Sequence, residues 1–461
     1  MSAGTGFAAH AQRIVSLSWP VFIGQIAVLA FGTVDTLLVA RHSSADLAAL
    51  AVGGSTYITI FIGLMGMVLA ISPIVGQLYG ARRLDEAGHQ FWQALWLALA
   101  VALLGVLALA FPAPILALAR PSPAMAEKVR AYLQALAFAV PASLLFTVFR
   151  GFNNAVSRPK AVMALQLGGL ALKVPLSILL VYGDADWGIA AMGVEGCGWS
   201  TTAVMWLQAL VAAVVLRRDP FYRQFHLGRP GAWRPHRASL AALSRLGFPM
   251  GLSLMVEVTG FSFMAIFIAR IGETAVAGHQ VAVNLVSMLF MLPMALSNGT
   301  STLVAQSIGA RDLRDARSLG WHGLQLALGI AAVVGITIYL TRAQVVGLYT
   351  DNPAVVAATL PLLTWVVLFH TADAAQVMAA FVLRSWRVAT VPTLIYVLSL
   401  WGLGLGGGYW MAFDPWQQWP DAVHGARGYW IASTTGLTVA GAALVALLWW
   451  VMRQKREAHL A

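Results

Sequence analysis

The chain has 461 residues, of which 59% are hydrophobic and only 10% are charged, and its formal net charge is +11. Soluble domains carry roughly a quarter of their residues as charged groups, so this composition excludes an ordinary water-facing surface. A single soluble core of this size is excluded as well, because cores stop growing near about 250–300 residues. We therefore expect an integral membrane protein whose surface faces the lipid bilayer.

Twelve apolar runs are long enough for helical spans, which need roughly 20 residues each. In chain order they cover 14–39, 47–78, 91–112, 129–150, 160–182, 190–216, 241–270, 276–307, 319–341, 353–383, 389–412 and 426–452. Backbone polar groups in hydrocarbon must be satisfied within the protein, and these runs are too long for barrel strands. Each run is therefore predicted to be a helix.

Lysine and arginine are concentrated in alternate loops, beginning with the loop after the second run and continuing to the end of the chain. The basic loops include Arg82, Arg83, Arg158, Lys160, Arg217, Arg218, Arg311, Arg314, Arg387 and Arg453. Because such loops stay on the cytoplasmic side, both termini are predicted to be cytoplasmic, in a bacterial-type inner membrane. This distribution also explains the net charge without a nucleic-acid partner.

The longest basic loop, about 217–240, divides the twelve runs into two sets of six. We expect an N-terminal lobe at 1–216, a cytoplasmic linker at 217–240 and a C-terminal lobe at 241–461.

The two sets resemble each other near the ends of the second and eighth runs. PIVGQLYGARRLDEA occupies 73–87, and TLVAQSIGARDLRDA occupies 302–316. At a constant offset of 229 residues, the matched pairs are Gln77 with Gln306, Gly80 with Gly309, Ala81 with Ala310 and Arg82 with Arg311.

A weaker echo at nearly the same offset pairs Arg150 and Pro159 with Arg384 and Pro392. The alternative is that small-residue helix ends before basic loops recur by chance. Two sets of matching residues at nearly the same offset favour duplication. Six is an even number, so both repeats have the same orientation in the membrane. The predicted fold is all-α and integral to the membrane, with twelve transmembrane helices in two pseudo-symmetric six-helix bundles.

Three carboxylates lie inside the apolar runs: Asp35 in the first, Glu257 in the seventh and Asp373 in the tenth. A charge at the centre of a span costs on the order of 2.5–3.5 kcal/mol on insertion scales. Such residues usually face a water-filled cavity or an ion path, and the alternative is an internal salt bridge or a hydrogen-bonded anchor. Glu257 and Asp373 are therefore candidates for cation binding and coupling, including Na⁺, and Asp35 is a candidate for coupling.

Lys173 is the only lysine or arginine deep inside a predicted span, and it lies at about the depth of Asp35. We predict that the two side chains pair. The pair could be purely structural, or substrate or proton exchange could break it.

Other polar or aromatic side chains share the spans of these acids and are candidates for a substrate cavity. His370 precedes Asp373 by three positions and lies on the same helical face. Gln280 and Asn284 are four apart in the eighth span, and Phe290 follows. His279 could carry protons, although a lone histidine in a helix is more often hydrogen-bonded locally.

Several motifs are missing from the sequence. It contains no GxxxxGK[ST] phosphate loop, no HExxH, no GxSxG and no Cys/His metal cluster. We therefore expect neither an enzyme nor an ATP-driven motor, and no cofactor. A transporter of this composition would draw its energy from an ion gradient, Na⁺ or H⁺.

Taken together, four segments resemble the multidrug and toxic compound extrusion (MATE) family, and its NorM branch in particular. They are GTVDTLLVA (32–40), LAALAVGGS (47–55), PIVGQLYGARR (73–83) and RGFNNAVSRPK (150–160). The resemblance covers nearly the whole chain. It implies an antiporter with two six-helix lobes around a central cavity, exporting cationic and often aromatic drugs in exchange for Na⁺ or H⁺.

The resemblance also implies roles for individual residues. Glu257 and Asp373 stand where the branch keeps the cation-site carboxylates of the second lobe, and Asp35 stands where the family keeps an aspartate tied to proton coupling. Phe290 stands where some relatives have a tyrosine near the cation. Lys173, in LKVPLS, replaces an asparagine that is common in relatives, which favours a charge pair with Asp35 over cation binding in the first lobe.

Three other functions compete with this interpretation. A lipid-linked precursor flippase of the same superfamily is the nearest, but it should have a basic cavity. An intramembrane enzyme would need a nucleophile or a metal, and a channel is poorly supported by scattered carboxylates. We expect small cationic molecules as substrates and a monomeric protein.

Overall fold

The computed structural model describes residues 6–113, 122–414, 418–420 and 423–457, with only the backbone for 455–457. Over these residues the chain is helical apart from turns and one isolated bridge between Asp184 and Ile189. The α-helices are α1 Phe7–His42, α2 Ser44–Val68, α3 Ile71–Gly80, α4 Leu84–Ala110, α5 Pro123–Ala155, α6 Pro159–Tyr182, α7 Val194–Arg218, α8 Arg237–Ala269, α9 Glu273–Gly309, α10 Leu313–Leu340, α11 Arg342–Gly347, α12 Pro353–Thr359, α13 Val366–Ser385, α14 Thr390–Tyr396, α15 Gly407–Phe413 and α16 Ala426–Glu457.

The predicted twelve spans are confirmed. Within the described ranges, twelve helical segments are long and apolar enough to cross a membrane. The prediction that both termini are cytoplasmic falls partly on 1–5 and 458–461, which lie outside the described residues.

Three predicted spans are not continuous α-helices. The second is interrupted at Leu69 and Ala70 between α2 and α3. The tenth turns at Pro361 into a short 3₁₀ helix, Leu362–Trp365, because proline cannot donate the backbone hydrogen bond that would continue the helix. The eleventh contains a π-helix, Val397–Gly406, between α14 and α15.

The chain forms two compact units, and their boundaries fall inside α1 and α8. One unit is Ile23–Gly251, and the other combines Met1–Phe22 with Leu252–Ala461. The sequence boundaries at 216 and 241 differ from these limits, and the lobes drawn there stay a prediction.

The Ile23–Gly251 unit is built around α5, which packs against α2, α4 and α7. Small side chains such as Ala135, Ala139 and Ala142 are fully buried along α5. Small residues let membrane helices approach closely and gain packing energy.

Segment 217–240 folds against the same unit rather than forming an extended linker. The α4 side chains Trp92, Gln93 and Trp96 donate hydrogen bonds to the backbone carbonyls of Leu227, Arg234 and Trp233, at 2.9, 2.9 and 2.6 Å.

The other unit is centred on α13, which packs against α9, α10 and α16. Ala374, Met378 and Ala379 of α13 are fully buried.

The internal repeat predicted from the sequence is visible in the backbone. Helices α3 and α9 end at Gly80 and Gly309, and both are followed by an arginine in the left-handed conformation, Arg82 at φ 58° and Arg311 at φ 62°. Left-handed residues just beyond a helix let its last carbonyls be satisfied. The same four-residue match therefore encodes the same turn twice.

Candidate functional site

Two of the predicted acids, Glu257 and Asp373, are joined by a single amide. The Gln376 Nε2 group donates hydrogen bonds to Glu257 Oε1 at 3.1 Å and to Asp373 Oδ1 at 3.0 Å. The Gln376 Oε1 atom accepts a hydrogen bond from the Tyr396 hydroxyl. Glu257 is half-buried, whereas Asp373, Gln376 and Tyr396 are buried.

Three helical segments bring this cluster together. Glu257 lies on α8, Asp373 and Gln376 lie one turn apart on α13, and Tyr396 ends α14. A buried hydrogen bond of 2.8 Å between Ser253 and Thr393 holds α8 against α14.

The π-helix is also anchored to α8, because the Trp401 Nε1 group donates to the Val256 carbonyl at 3.1 Å. Irregular π segments occur frequently at functional sites.

The predicted pair of Asp35 and Lys173 is confirmed. The Lys173 Nζ atom lies 2.8 Å from Asp35 Oδ1, and both residues are buried. Lys173 also donates to the Cys197 carbonyl at 3.1 Å, to Ser200 Oγ at 2.8 Å and to Thr201 Oγ1 at 2.7 Å. The ammonium is thus surrounded by oxygen atoms, and a lysine already neutralises Asp35.

The remaining predicted site residues do not join the acids directly. His370 is buried on α13, and its Nε2 atom has no hydrogen-bond partner among the described residues. Gln280 and Asn284 are exposed, and Asn284 accepts a hydrogen bond from the Tyr349 hydroxyl at 3.1 Å. Phe290 is half-buried.

His279 is hydrogen-bonded, although not to a local partner: its Nδ1 atom accepts a hydrogen bond from the indole of Trp430, on α16, at 3.2 Å.

Sequence reasoning missed Gln376 and Tyr396. Gln376 carried one usable signal, since a polar residue three positions after Asp373 lies on the same helical face. Tyr396 carried none, because its contact depends on how α14 packs against α13.

Two further charged clusters were also missed. In the Ile23–Gly251 unit, buried Asp46 contacts Lys128 and accepts a hydrogen bond from the His42 Nδ1 atom at 2.7 Å. In the other unit, His10 bridges His322 at 2.8 Å and Asp315 at 3.1 Å.

The oxygen donors at Glu257 and Asp373 suit a small hard cation, because carboxylate and amide oxygens are the ligands such ions prefer. Asp35 is a poorer candidate for binding a cation, because the Lys173 ammonium already lies beside its carboxylate. The structure therefore brings two carboxylates and one amide together in the unit that contains Leu252–Ala461, and it pairs Asp35 with Lys173 in the other.

A twelve-span α-helical membrane protein with a duplicated half and buried acids is the class that these features define. The chain belongs to the MatE family, whose profile matches residues 20–179 and 249–410. The two matches begin 229 residues apart, which is the offset of the internal repeat.

Relatives and solved structures agree with this assignment. The chain is 39% identical over 449 residues to "Probable multidrug resistance protein NorM" of Aromatoleum aromaticum, covering 97% of this chain and 96% of that protein. It is 35% identical over 446 residues to "Multidrug resistance protein PmpM" of Pseudomonas aeruginosa, covering 96% and 92%. The fold matches the crystal structure of the Vibrio cholerae MATE transporter VcmN in the bent form, with a TM-score of 0.85, 17% identity, and coverage of 98% and 99%.

Proposed function

We propose that this protein is a secondary active multidrug efflux antiporter of a bacterial inner membrane. It exports amphipathic organic cations in exchange for Na⁺ or H⁺ by alternating access. The observation that carries the proposal is the pair of acids within the spans, Glu257 and Asp373, bridged by Gln376. The names of the relatives, multidrug resistance proteins at 39% and 35% identity, support the drug substrates.

The sequence and the site support an ion gradient as the energy source. The chain carries no phosphate-loop motif, so the driving force comes from an ion gradient. Glu257 and Asp373 supply hard oxygen atoms for Na⁺, and the same carboxylates can carry protons. Asp35 takes no ion of its own, because Lys173 Nζ lies 2.8 Å from its carboxylate.

Coupling requires that ion and drug bias the same conformational equilibrium in opposite directions. An ion on Glu257 and Asp373 reduces their negative charge and favours drug release. Once the ion leaves, the acids regain their negative charge and attract the next cationic substrate.

The test is ethidium transport by purified protein in proteoliposomes, with a Na⁺ gradient and a pH gradient imposed separately. We expect one gradient to drive ethidium movement, and Glu257→Gln and Asp373→Asn each to reduce the rate by about tenfold or more. A tenfold lower rate corresponds to about 1.4 kcal/mol of additional activation free energy. The matched control is Glu86→Gln. Glu86 is an exposed acid that pairs with Arg83, three residues before it. Full transport by both buried-acid variants would overturn the ion assignment.

A further inference from the structure

The Gln376 side chain uses all of its hydrogen-bonding groups within the acid cluster. Its residue is fully buried, and its Nε2 atom reaches Glu257 at 3.1 Å and Asp373 at 3.0 Å. A primary amide has two N–H donors, so both are directed at carboxylates. Its carbonyl oxygen accepts from Tyr396.

Only one orientation of this amide suits negatively charged neighbours. A turned amide would direct its carbonyl oxygen at Glu257 and Asp373, which repel it. The Tyr396 hydroxyl donates to Oε1 and so holds the N–H groups towards the acids. Hydrogen bonds to ionised groups are roughly twice as strong as neutral ones, so the bridge is a substantial interaction.

We propose that Gln376 is a positioning residue whose two N–H groups occupy the carboxylate lone pairs that a coupling cation would otherwise use. The proposal rests on the proposed function, in which Glu257 and Asp373 bind that cation. An ion that binds to Glu257 Oε1 and Asp373 Oδ1 displaces at least one N–H···O bond, and the amide returns when the ion leaves. Gln376 thereby lowers the affinity for the ion and makes its release fast enough for a transport cycle.

Tyr396 supports this role from the next helix. Its ring is buried, and the residue stands immediately before the π-helix Val397–Gly406. Tyr396→Phe keeps the ring but removes the hydroxyl that fixes the amide. The amide then rotates more freely and competes less well with an ion, so this variant changes ion affinity in the same direction as loss of the amide, by a smaller factor.

The experiment measures equilibrium binding of radioactive ²²Na⁺ to the purified full-length protein. Gln376→Leu removes both donors at similar volume, and we expect it to bind Na⁺ about tenfold more tightly, or more, because an entering ion no longer displaces hydrogen bonds. Tyr396→Phe should bind Na⁺ more tightly by a smaller factor. In proteoliposomes, both variants should export ethidium more slowly, because ion release is slowed.

The matched control is Gln208→Leu, which removes a buried amide elsewhere. The Gln208 Nε2 group donates to the Leu165 carbonyl at 2.9 Å in the Ile23–Gly251 unit. Gln208→Leu should leave the affinity for Na⁺ unchanged. If Gln376→Leu does not fold, Tyr396→Phe still decides the matter, because it alters the bridge without touching the acids.

Each outcome decides the inference. Weaker Na⁺ binding in Gln376→Leu would make the amide oxygen an ion ligand and overturn it. Unchanged affinity in Gln376→Leu and Tyr396→Phe, or no Na⁺ binding by any variant, would overturn it as well. If Glu257→Gln and Asp373→Asn abolish binding while Gln376→Leu leaves it unchanged, the inference fails and the proposed ion site survives. Wild-type affinity in the two acid variants would instead remove the ion site itself.

Discussion

At the scale of single residues, Lys173 is a buried charge that is held by several partners. Its ammonium has three N–H donors, and Asp35, the Cys197 carbonyl, Ser200 and Thr201 all lie within 3.1 Å of it. Burying a charge is tolerated only when it is paired and hydrogen-bonded, and both conditions hold here. The pair therefore acts as a fixed internal bridge between α1 and α6.

Removing one partner of this pair should be costly. Lys173→Met leaves the Asp35 carboxylate buried and unneutralised, and we expect a loss of about 3–5 kcal/mol in the free energy of unfolding. The double variant Asp35→Asn with Lys173→Met should recover part of that loss, because no buried charge is then left alone. Thermal unfolding of the purified protein measures both, with the exposed α7 cation Arg217→Met as a near-neutral control.

A double variant no more stable than Lys173→Met would contradict the pairing as the source of the effect. The same variants test whether the pair takes part in transport. An altered pH dependence of ethidium export in Lys173→Met supports a functional pair, and an unaltered one supports a structural pair.

At the scale of elements, the π-helix depends on close packing against α16. A Cβ atom added at Gly436 would lie 2.4 Å from the Ser399 carbonyl oxygen and 3.0 Å from the Gly404 nitrogen, both of them backbone atoms of the π-helix. Backbone cannot move aside as a flexible side chain can. The glycine at 436 therefore sets the distance between the two elements.

We expect Gly436→Ala to cost roughly 1–3 kcal/mol in the free energy of unfolding, because it overpacks this contact. The matched control is Gly329→Ala on α10, where an added Cβ meets nothing within 4 Å. That substitution should be neutral or stabilising by up to about 1 kcal/mol, since alanine is the better helix former. Equal melting temperatures for the two variants would show that the π-helix tolerates displacement.

A second element, the 3₁₀ helix Pro220–Phe225, is capped by a carboxylate outside the spans. The Asp219 Oδ1 atom accepts from the Phe221 backbone N–H at 2.9 Å, and Oδ2 accepts from Arg158 at 2.7 Å. The Phe221 hydrogen bond, followed by the Arg158 interactions, holds the pKa of Asp219 below its usual value.

The pKa of this carboxyl is lower in the folded protein than in the unfolded chain, where it is about 3.9. The ionised carboxylate therefore stabilises the fold above that pH, and the stabilisation is lost as the pH falls through the folded-state pKa. We expect pepsin, which is active at acid pH, to cleave segment 217–240 faster below about pH 4, relative to its cleavage of an unfolded substrate. Asp219→Asn, which can still cap the helix, should lack this pH dependence. An identical pH dependence in the variant would assign the effect to another group.

At the scale of the whole molecule, the single cysteine offers a direct test of topology. Cys197 is buried, so the native protein is a nearly silent background for thiol labelling. Gly228 is exposed in the basic segment 217–240, and Trp187 is 77% exposed in the loop between α6 and α7.

The positive-inside rule places these two loops on opposite sides of the membrane. We expect a membrane-impermeant maleimide to label Trp187→Cys in intact cells and Gly228→Cys only in inside-out vesicles. Labelling of both positions from the same side would overturn the predicted orientation of all twelve spans.

The sequence by itself determined the twelve spans and the duplication, and it located the three acids within the spans, Asp35, Glu257 and Asp373. Hydrocarbon forces backbone hydrogen bonds to close within each segment, so length and apolarity are enough to predict a helix. Counting depth along the spans even placed Lys173 beside Asp35. The break at Leu69 and the π-helix escaped prediction, because an apolar run looks the same whether its hydrogen bonds are regular or not.

Only the tertiary structure decided which side chains meet. Glu257 and Gln376 are 119 residues apart in the chain, and Tyr396 belongs to a third helix. Helical periodicity gives the face on which a residue lies, but the rotation and separation of packed helices determine what that face contacts. For that reason the acids could be predicted from the sequence, whereas the amide that joins them could not.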